Sequence, residues 1–232
     1  MQRIYLPNMK LSDVLEITQK DLYHQLTRVL RARVWQEVVF FDGKTLEDYL
    51  YAMIHIDKNS VSFKRKEIIA KSADMETEMT LYQACPNKLS KFETIVQKCC
   101  EVWYKKIVFF ESERSQKLVI SDNKKERLHK IAIEAVEQCY GNVIPEIEYR
   151  VSLWDVSWEQ SIICHTQWND SIHLRELQVP KKINIFVWPE WGFTSQEIEN
   201  ISAQKIYFGD RILRCETVGE VVWFYISQKK ES

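Results

Sequence analysis

From Arg3 to about Gln83 the apolar positions fall in short runs separated by polar turns. Val38-Val39-Phe40-Phe41 is followed by the turn dipeptide Asp42-Gly43, then by an alternating stretch from Tyr49 to Ile56 and a further run from Ser60 to Ala70. Runs of this length, rich in β-branched and aromatic residues and bounded by turn residues, predict strands, and their density predicts a small β-barrel. One interruption is helical. Between Lys20 and Arg31, Leu22, Leu26, Val29 and Leu30 share a face, with His24, Arg28 and Arg31 at its edge.

After Thr80-Leu81-Tyr82-Gln83-Ala84-Cys85 strands alternate with helices, the rhythm of an α/β domain with a parallel sheet. Leu89, Phe92, Val96, Cys99 and Trp103 recur at helical spacing, and Ile107-Val108-Phe109-Phe110 reads as a buried strand. A polar loop leads to a long helix opening near Ser121 or Asp122, with Leu128, Ile131, Ala132, Ala135, Val136 and Cys139 inward. Ser161-Ile162-Ile163-Cys164 and Ile183-Asn184-Ile185-Phe186-Val187 are the next strands. Thr194, with Glu197 three residues on, forms a capping box that opens a helix, and the last helix runs from about Glu216 toward Ser227. The polar stretch Ser72-Ala73-Asp74-Met75-Glu76 separates expected domains at 1–74 and 75–232.

Composition narrows the function classes. The chain of 232 residues is 45% hydrophobic and 28% charged, as ordinary globular proteins are. No apolar run reaches the roughly 18–20 residues that span a bilayer, and Met1-Gln2-Arg3-Ile4-Tyr5-Leu6-Pro7 has neither the apolar core nor the cleavage site of a leader. A cytoplasmic protein with no membrane partner is expected. With 32 basic and 33 acidic residues, any polyanion contact must be local. Arg28, Arg31 and Arg33 form one basic cluster; Arg114, Lys117, Lys124, Lys125, Arg127 and Lys130 form another. Such runs are usually solvated helix surfaces and do not designate a binding face by themselves. The six cysteines show no C-x-x-C and no paired His spacing, so buried, reduced thiols and no metal site are expected. One quantity is out of line: typical usage predicts about 16 glycines, yet there are 5, fewer than the 8 tryptophans.

In an open α/β sheet, ligands bind outside the carboxyl ends of the strands. Those loops follow Cys164, Val187 and Phe208. The second reads Val187-Trp188-Pro189-Glu190-Trp191-Gly192-Phe193-Thr194 and runs into a capped helix, whose first N–H groups lie where a ligand can meet them. The third reads Phe208-Gly209-Asp210-Arg211-Ile212-Leu213-Arg214-Cys215-Glu216-Thr217, and its two arginines suit either a salt-bridge cluster or an anionic ligand. His24, His55 and His173 read as structural and His129 as a surface residue, whereas His165 ends a buried strand at the ligand edge. The absence of G-x-S-x-G, Walker A, G-x-G-x-x-G and H-E-x-x-H removes the usual support for hydrolase and nucleotide-fold readings.

The strings KFETIVQKCCEVW, SERSQK, RLHKIAIEAVEQC, IPEI, WPEWGF and FGDRILRCET occur in this order, preceded by RIYLP and HQLTRVLR. Together they resemble the RsmE family, bacterial enzymes that methylate N3 of a uridine in 16S ribosomal RNA, and the resemblance covers essentially the whole chain. It implies an α/β protein in which an N-terminal PUA-like, RNA-binding β-barrel precedes a SPOUT methyltransferase domain with a C-terminal trefoil knot, a rare exception to unknotted chains. It also implies S-adenosylmethionine as cofactor, a homodimer, and 16S rRNA or the small ribosomal subunit as partner. Carried over by motif, His165, Val187, Trp188, Pro189, Glu190, Trp191, Gly192, Phe208, Gly209 and Leu213 hold the cofactor. Arg211 and Arg214 face the reacting base, Glu216 is a positioning candidate, and Arg28, Arg31, Arg114 and Lys117 contact RNA. A different RNA target for the same chemistry stays open, because sequence does not specify the nucleotide.

The chain departs from the family at glycines. The family's cofactor loop reads Gly-Pro-Glu-Gly-Gly, its first catalytic-domain helix ends Glu-Leu-Gly, and its barrel has a Gly-Asp turn. Here Trp188, Trp191, Trp103 and Trp35 stand at those glycine positions. A helix end wants a residue that tolerates φ > 0, and a loop pressed on a ligand wants no side chain. Drift to the bulkiest residue at four such sites is improbable; UGA codons that the parent lineage reads as glycine account for all four. With true tryptophans, the alternative is an RNA-binding pseudoenzyme whose cofactor pocket the Trp188 and Trp191 indoles obstruct. The gene decides: UGA is expected at codons 35, 103, 188 and 191, and UGG at any of them refutes the idea there.

Overall fold

The computed structural model describes residues 1–7, 12–70, 77–150, 158–164, 170–200 and 202–229. The chain divides into two compact units, Met1–Ala73 with Val136–Val143, and Asp74–Ala135 with Ile144–Ser232. The expected 74/75 boundary itself lies outside the described residues.

The first unit is a five-stranded, barrel-like sheet of order β1-β3-β4-β5-β2. Its strands are β1 (Gln2–Tyr5), β2 (Val14–Ile17), β3 (Glu37–Phe41), β4 (Glu47–Ile56) and β5 (Val61–Ala70). β1 pairs parallel with β3 and the other pairings are antiparallel. Phe40 packs edge-on against Phe63 and Tyr51, with centroids 5.1 and 5.6 Å apart, in a core completed by Ile4, Ile17 and Met53. Asp42 Oδ1 accepts from Lys44 N and Thr45 N, and Gly43 takes φ +77°, so the predicted Asp-Gly turn is present.

The predicted helix from Lys20 to Arg31 is altered. It begins as α1 (Lys20–His24) and continues as a π-helical turn over Gln25–Val29. The wider turn keeps Leu22 and Leu26 buried but rotates Val29 off the apolar face, leaving it 66% exposed.

Buried charge ties Val136–Val143 to this sheet. Arg3 on β1 is paired with Asp48 on β4, both 4% exposed, and Arg3 also donates to Gly141 O. Asn142 Nδ2 donates to Asp48 Oδ1 at 2.6 Å and to Glu47 O at 3.0 Å. Removing one partner from such a pair costs about 3–5 kcal/mol, because the other charge stays buried alone.

The second unit is a seven-stranded, wholly parallel sheet of order β10-β12-β9-β11-β6-β7-β8. The strands are β6 (Glu78–Ala84), β7 (Lys106–Phe110), β8 (Glu146–Arg150), β9 (Ser161–Cys164), β10 (Ile172–His173), β11 (Lys182–Val187) and β12 (Gln204–Tyr207). Its helices are α2 (Leu89–Glu101), α3 (Asp122–Gln138), α4 (Ser195–Asn200) and α5 (Cys215–Gln228). β9 is buried at every position, as a strand covered on both faces should be. The buried Tyr104 hydroxyl donates to Gly219 O of α5 at 2.8 Å. Among the described residues no helix is long and apolar enough to cross a membrane.

Two of the four tryptophans at family glycine positions occupy left-handed backbone. Trp103 follows the end of α2 at φ +61°, and Tyr104 N donates back to Cys99 O at 3.0 Å, so Trp103 fills the glycine position of a Schellman cap. Trp35, at φ +72°, is the third residue of a turn closed by Gln36 N to Arg33 O at 2.9 Å, another glycine position. Trp188 and Trp191 lie outside the left-handed region. Tyr140 after α3 also has φ +62°, so a side chain there is tolerated at a cost. Trp35 is 75% exposed and gives up little packing if removed. Trp35→Gly is therefore expected to raise stability by about 0.5–1 kcal/mol, while Trp35→Ala, which keeps a Cβ, gains nothing. Urea unfolding of the two variants checks this, and equal midpoints contradict it.

Candidate active site

Because every strand of the second unit runs the same way, the loops after β6, β7, β11 and β12 leave the sheet at one edge. Val187, fully buried, ends β11 opposite Gln83 of β6. The next residues form a tight turn in which Gly192 N donates to Pro189 O at 2.9 Å. The predicted capping box is present: Thr194 N donates to Glu197 Oε2 at 2.8 Å and Glu197 N to Thr194 Oγ1 at 3.2 Å. The other Glu197 oxygen accepts Glu113 N at 2.9 Å, and Arg114 Nη1 donates to Trp191 O at 3.3 Å. The loop after β7 is thereby docked on the loop after β11.

After β12, Gly209 has φ +111° and Gly192 has φ +70°, and a Cβ built at either would meet nothing within 4 Å. Both glycines thus present backbone to open space at the sheet edge, the feature that lets a flat ligand lie against the main chain. These two positions fit a nucleoside cofactor. Trp188 is buried, whereas Trp191 is 78% exposed. Arg211 and Arg214 are exposed and Leu213 is half-buried. Arg214 is the N-cap residue of α5, its carbonyl accepting Thr217 N at 2.9 Å.

Two carboxylates at this edge, Glu190 and Glu216, have partners. Glu190 Oε1 accepts from Lys91 Nζ at 2.8 Å and from Asn87 N at 3.0 Å. Glu216 Oε2 lies 3.8 Å from Lys91 Nζ and accepts the Cys215 thiol at 3.2 Å. Burial works to raise the Glu190 carboxyl, but the hydrogen bonds from Lys91 and Asn87 outweigh it and hold it below the ordinary range. The bond to Glu190 raises Lys91. Burial and then Glu216 push the Cys215 thiol up to about 12, far from a reactive thiolate.

Val187 to Gly192, Phe208, Gly209, Arg211, Leu213, Arg214 and Glu216 all sit at this edge. His165 lies outside the described residues. Arg114 and Lys117 are exposed on the loop after β7, and Arg28 and Arg31 are exposed on the first unit. Other members of the second basic cluster are spent on ion pairs, Arg127 with Glu93 of α2 at 2.7 Å and Lys130 with Glu126 on its own helix at 2.8 Å, the usual state of a solvated helix face. Sequence reasoning missed Lys91 and Gln83. Lys91 opens the string KFETIVQKCCEVW, but its partners lie about a hundred residues away or more. Gln83 is a fully buried polar residue in an apolar strand, and its Oε1 has no hydrogen-bond partner among the described residues.

Residues 73–226 match the model of the RNA methyltransferase domain family. The ribosomal RNA small subunit methyltransferase E of Buchnera aphidicola subsp. Acyrthosiphon pisum (strain APS) is 28% identical over 93% of this chain and 90% of its own length. The crystal structure of a ribosomal RNA small subunit methyltransferase E from Neisseria gonorrhoeae bound to S-adenosyl methionine superposes with a TM-score of 0.85 at 23% identity, covering 99% of this chain and 98% of that one. A probable rRNA-methyltransferase from Porphyromonas gingivalis superposes with a TM-score of 0.84 at 22% identity over 98% of each chain.

The Glu190 pairing carries a pH dependence. A carboxyl held low in the fold contributes stability that is full above the unfolded-state value, about 4.3, and lost as pH falls through the folded value. The stability advantage of the unaltered chain over Glu190→Gln is therefore expected to be present at pH 7 and to close below pH ~4. Denaturant midpoints at both pH values check this, and a gap independent of pH contradicts it.

Proposed function

The chain belongs to the RNA methyltransferase domain family, within it to the RsmE group, and from that premise we propose that it methylates N3 of a uridine in 16S ribosomal RNA. The donor is S-adenosylmethionine, bound at the carboxyl edge of the parallel sheet. The observation that carries the reading is the pair of left-handed glycines, Gly192 and Gly209, with open space beside them on one edge and two exposed arginines next to them. Residues 1–74 serve as the PUA-like RNA-binding domain and 75–232 as the SPOUT domain with its trefoil knot. The protein acts as a homodimer, to which the exposed Ile212 and Phe224 offer apolar surface.

Val187 to Gly192, Phe208, Gly209 and Leu213 hold the cofactor, together with His165, which follows Cys164 in sequence. When bound, S-adenosylmethionine supplies an electrophilic methyl group on a sulfonium. Uridine N3–H is a weak acid: its proton would pass to solvent, N3 would take the methyl group as the sulfonium–methyl bond breaks to leave a neutral thioether, and the negative charge developing on the base has to be met by a cation. Arg214, with Arg211 three residues before it, is that cation. Glu216, held by Cys215 and facing Lys91, positions the start of α5. Arg28 and Arg31 on the first unit, and Arg114 and Lys117 on the second, contact RNA phosphates, where basic side chains supply affinity.

A second reading, an RNA-binding protein without cofactor, draws on Trp188, a buried indole inside the very loop assigned to the donor. Calorimetry separates the two. The Trp188→Gly/Trp191→Gly variant is expected to bind S-adenosylmethionine at least tenfold more tightly than the tryptophan form, about 1.4 kcal/mol. In that variant Arg214→Met is expected to lower kcat by 100-fold or more, on the order of 3 kcal/mol, with cofactor binding unchanged. Equal, tight binding by the tryptophan and glycine forms refutes the obstruction. Absence of binding by both refutes the enzyme.

A further inference from the structure

We propose that Lys91 is a positioning residue that holds the loop after β11 and the first turn of α5 together as one cofactor-binding surface. Lys91 lies in the first turn of α2, after β6. Its ammonium stands between two carboxylates from separate segments, 2.8 Å from Glu190 Oε1 and 3.8 Å from Glu216 Oε2. The three side chains are only 23%, 20% and 16% exposed, so solvent screens these charges less than it screens an open surface pair.

Both carboxylates are fixed by a second donor, Glu190 by Asn87 N–H and Glu216 by the Cys215 thiol. Neither can swing away to relieve repulsion without breaking that bond. Glu190 sits within the turn closed between Pro189 and Gly192, and Glu216 lies two residues beyond Arg214. One cation thus sets the spacing between the loop that presents Gly192 and the helix start that presents Arg214. Without it, two half-buried like charges face each other, and their repulsion bears on the bonds that still hold the loop.

The inference rests on the reading of this edge as the cofactor site, so the test has one arm that needs no cofactor. Lys91→Met, Lys91→Arg, Glu190→Gln and the double variant Lys91→Met/Glu190→Gln are made in the background, tryptophan or glycine at 188 and 191, that binds S-adenosylmethionine more tightly. Calorimetry is expected to give about tenfold weaker binding for Lys91→Met, recovery of most of the loss in Lys91→Arg, and a double variant no worse than the worse single one. Loss of thermal stability with unchanged affinity in Lys91→Met overturns the proposal, because Lys91 then only supports the fold. In the second arm, carboxyl NMR follows the Glu190 titration without ligand. A rise on Lys91→Met supports the clamp, and an unchanged titration overturns it. A parent chain without affinity for S-adenosylmethionine overturns the proposed function, and the NMR arm then decides the clamp alone.

Discussion

Parallel pairing throughout the second unit is the constraint from which the site follows. Strands that all run one way deliver their carboxyl ends to one edge, and the pairing of β11 with β6, Val187 opposite Gln83, sets their exits side by side. The residues just after β6 therefore meet the loop just after β11. That is why Asn87 N–H and the Lys91 ammonium reach the same Glu190 oxygen across about a hundred residues of sequence. The capping box of α4 and the glycine at Gly192 complete a loop fixed at both ends, and its main chain is left to face a ligand.

The scarcity of glycine acquires a physical meaning in this frame. Five glycines are few for a chain of 232 residues, and two of them, Gly192 and Gly209, stand at the edge where the main chain is offered to a ligand. Elsewhere, apart from Gly43 in its turn, the backbone takes left-handed conformations with side chains attached. Trp35 in a tight turn and Trp103 in a helix cap carry a Cβ where glycine costs least. Trp188 and Trp191 are a different matter, since their backbone is ordinary and the penalty expected there is between an indole and a ligand: Trp188 is buried within the loop assigned to the cofactor, whereas Trp191 is exposed. Four substitutions toward one residue type, with two distinct physical penalties, fit a common origin in decoding better than four independent adaptations.

Much of the fold was legible because its signals are local. The Asp42-Gly43 turn, the Thr194-Glu197 capping box, the apolar face of α2 and the buried run of β11 each lie within a few residues, and each is present. The π-helical turn at Gln25–Val29 was not legible, because one extra residue per turn leaves a pattern that reads equally well as an α-helix until Val29 is found in solvent. The short strands β8 and β10 escaped as well, and β12 was placed only by its end near Phe208. β8 alternates charged and apolar residues at the sheet edge, and two to four residues of β10 and β12 are too few to establish a period. The loops of the site could be located from sheet topology, but Lys91 could not. A lysine in the first turn of a helix is ordinary on any surface, and only the parallel register brings both of its carboxylates to it.

The central claim, methyl transfer to N3 of a uridine in small-subunit ribosomal RNA, is tested most directly by incubating small subunits lacking base methylation with the protein and S-adenosylmethionine carrying an isotopically labelled methyl group. The RNA is then digested and its nucleosides are resolved by mass spectrometry. The account predicts label in N3-methyluridine and in no other nucleoside of the 16S rRNA. Label on any other nucleoside, or no label from a form of the chain that binds the cofactor, contradicts it.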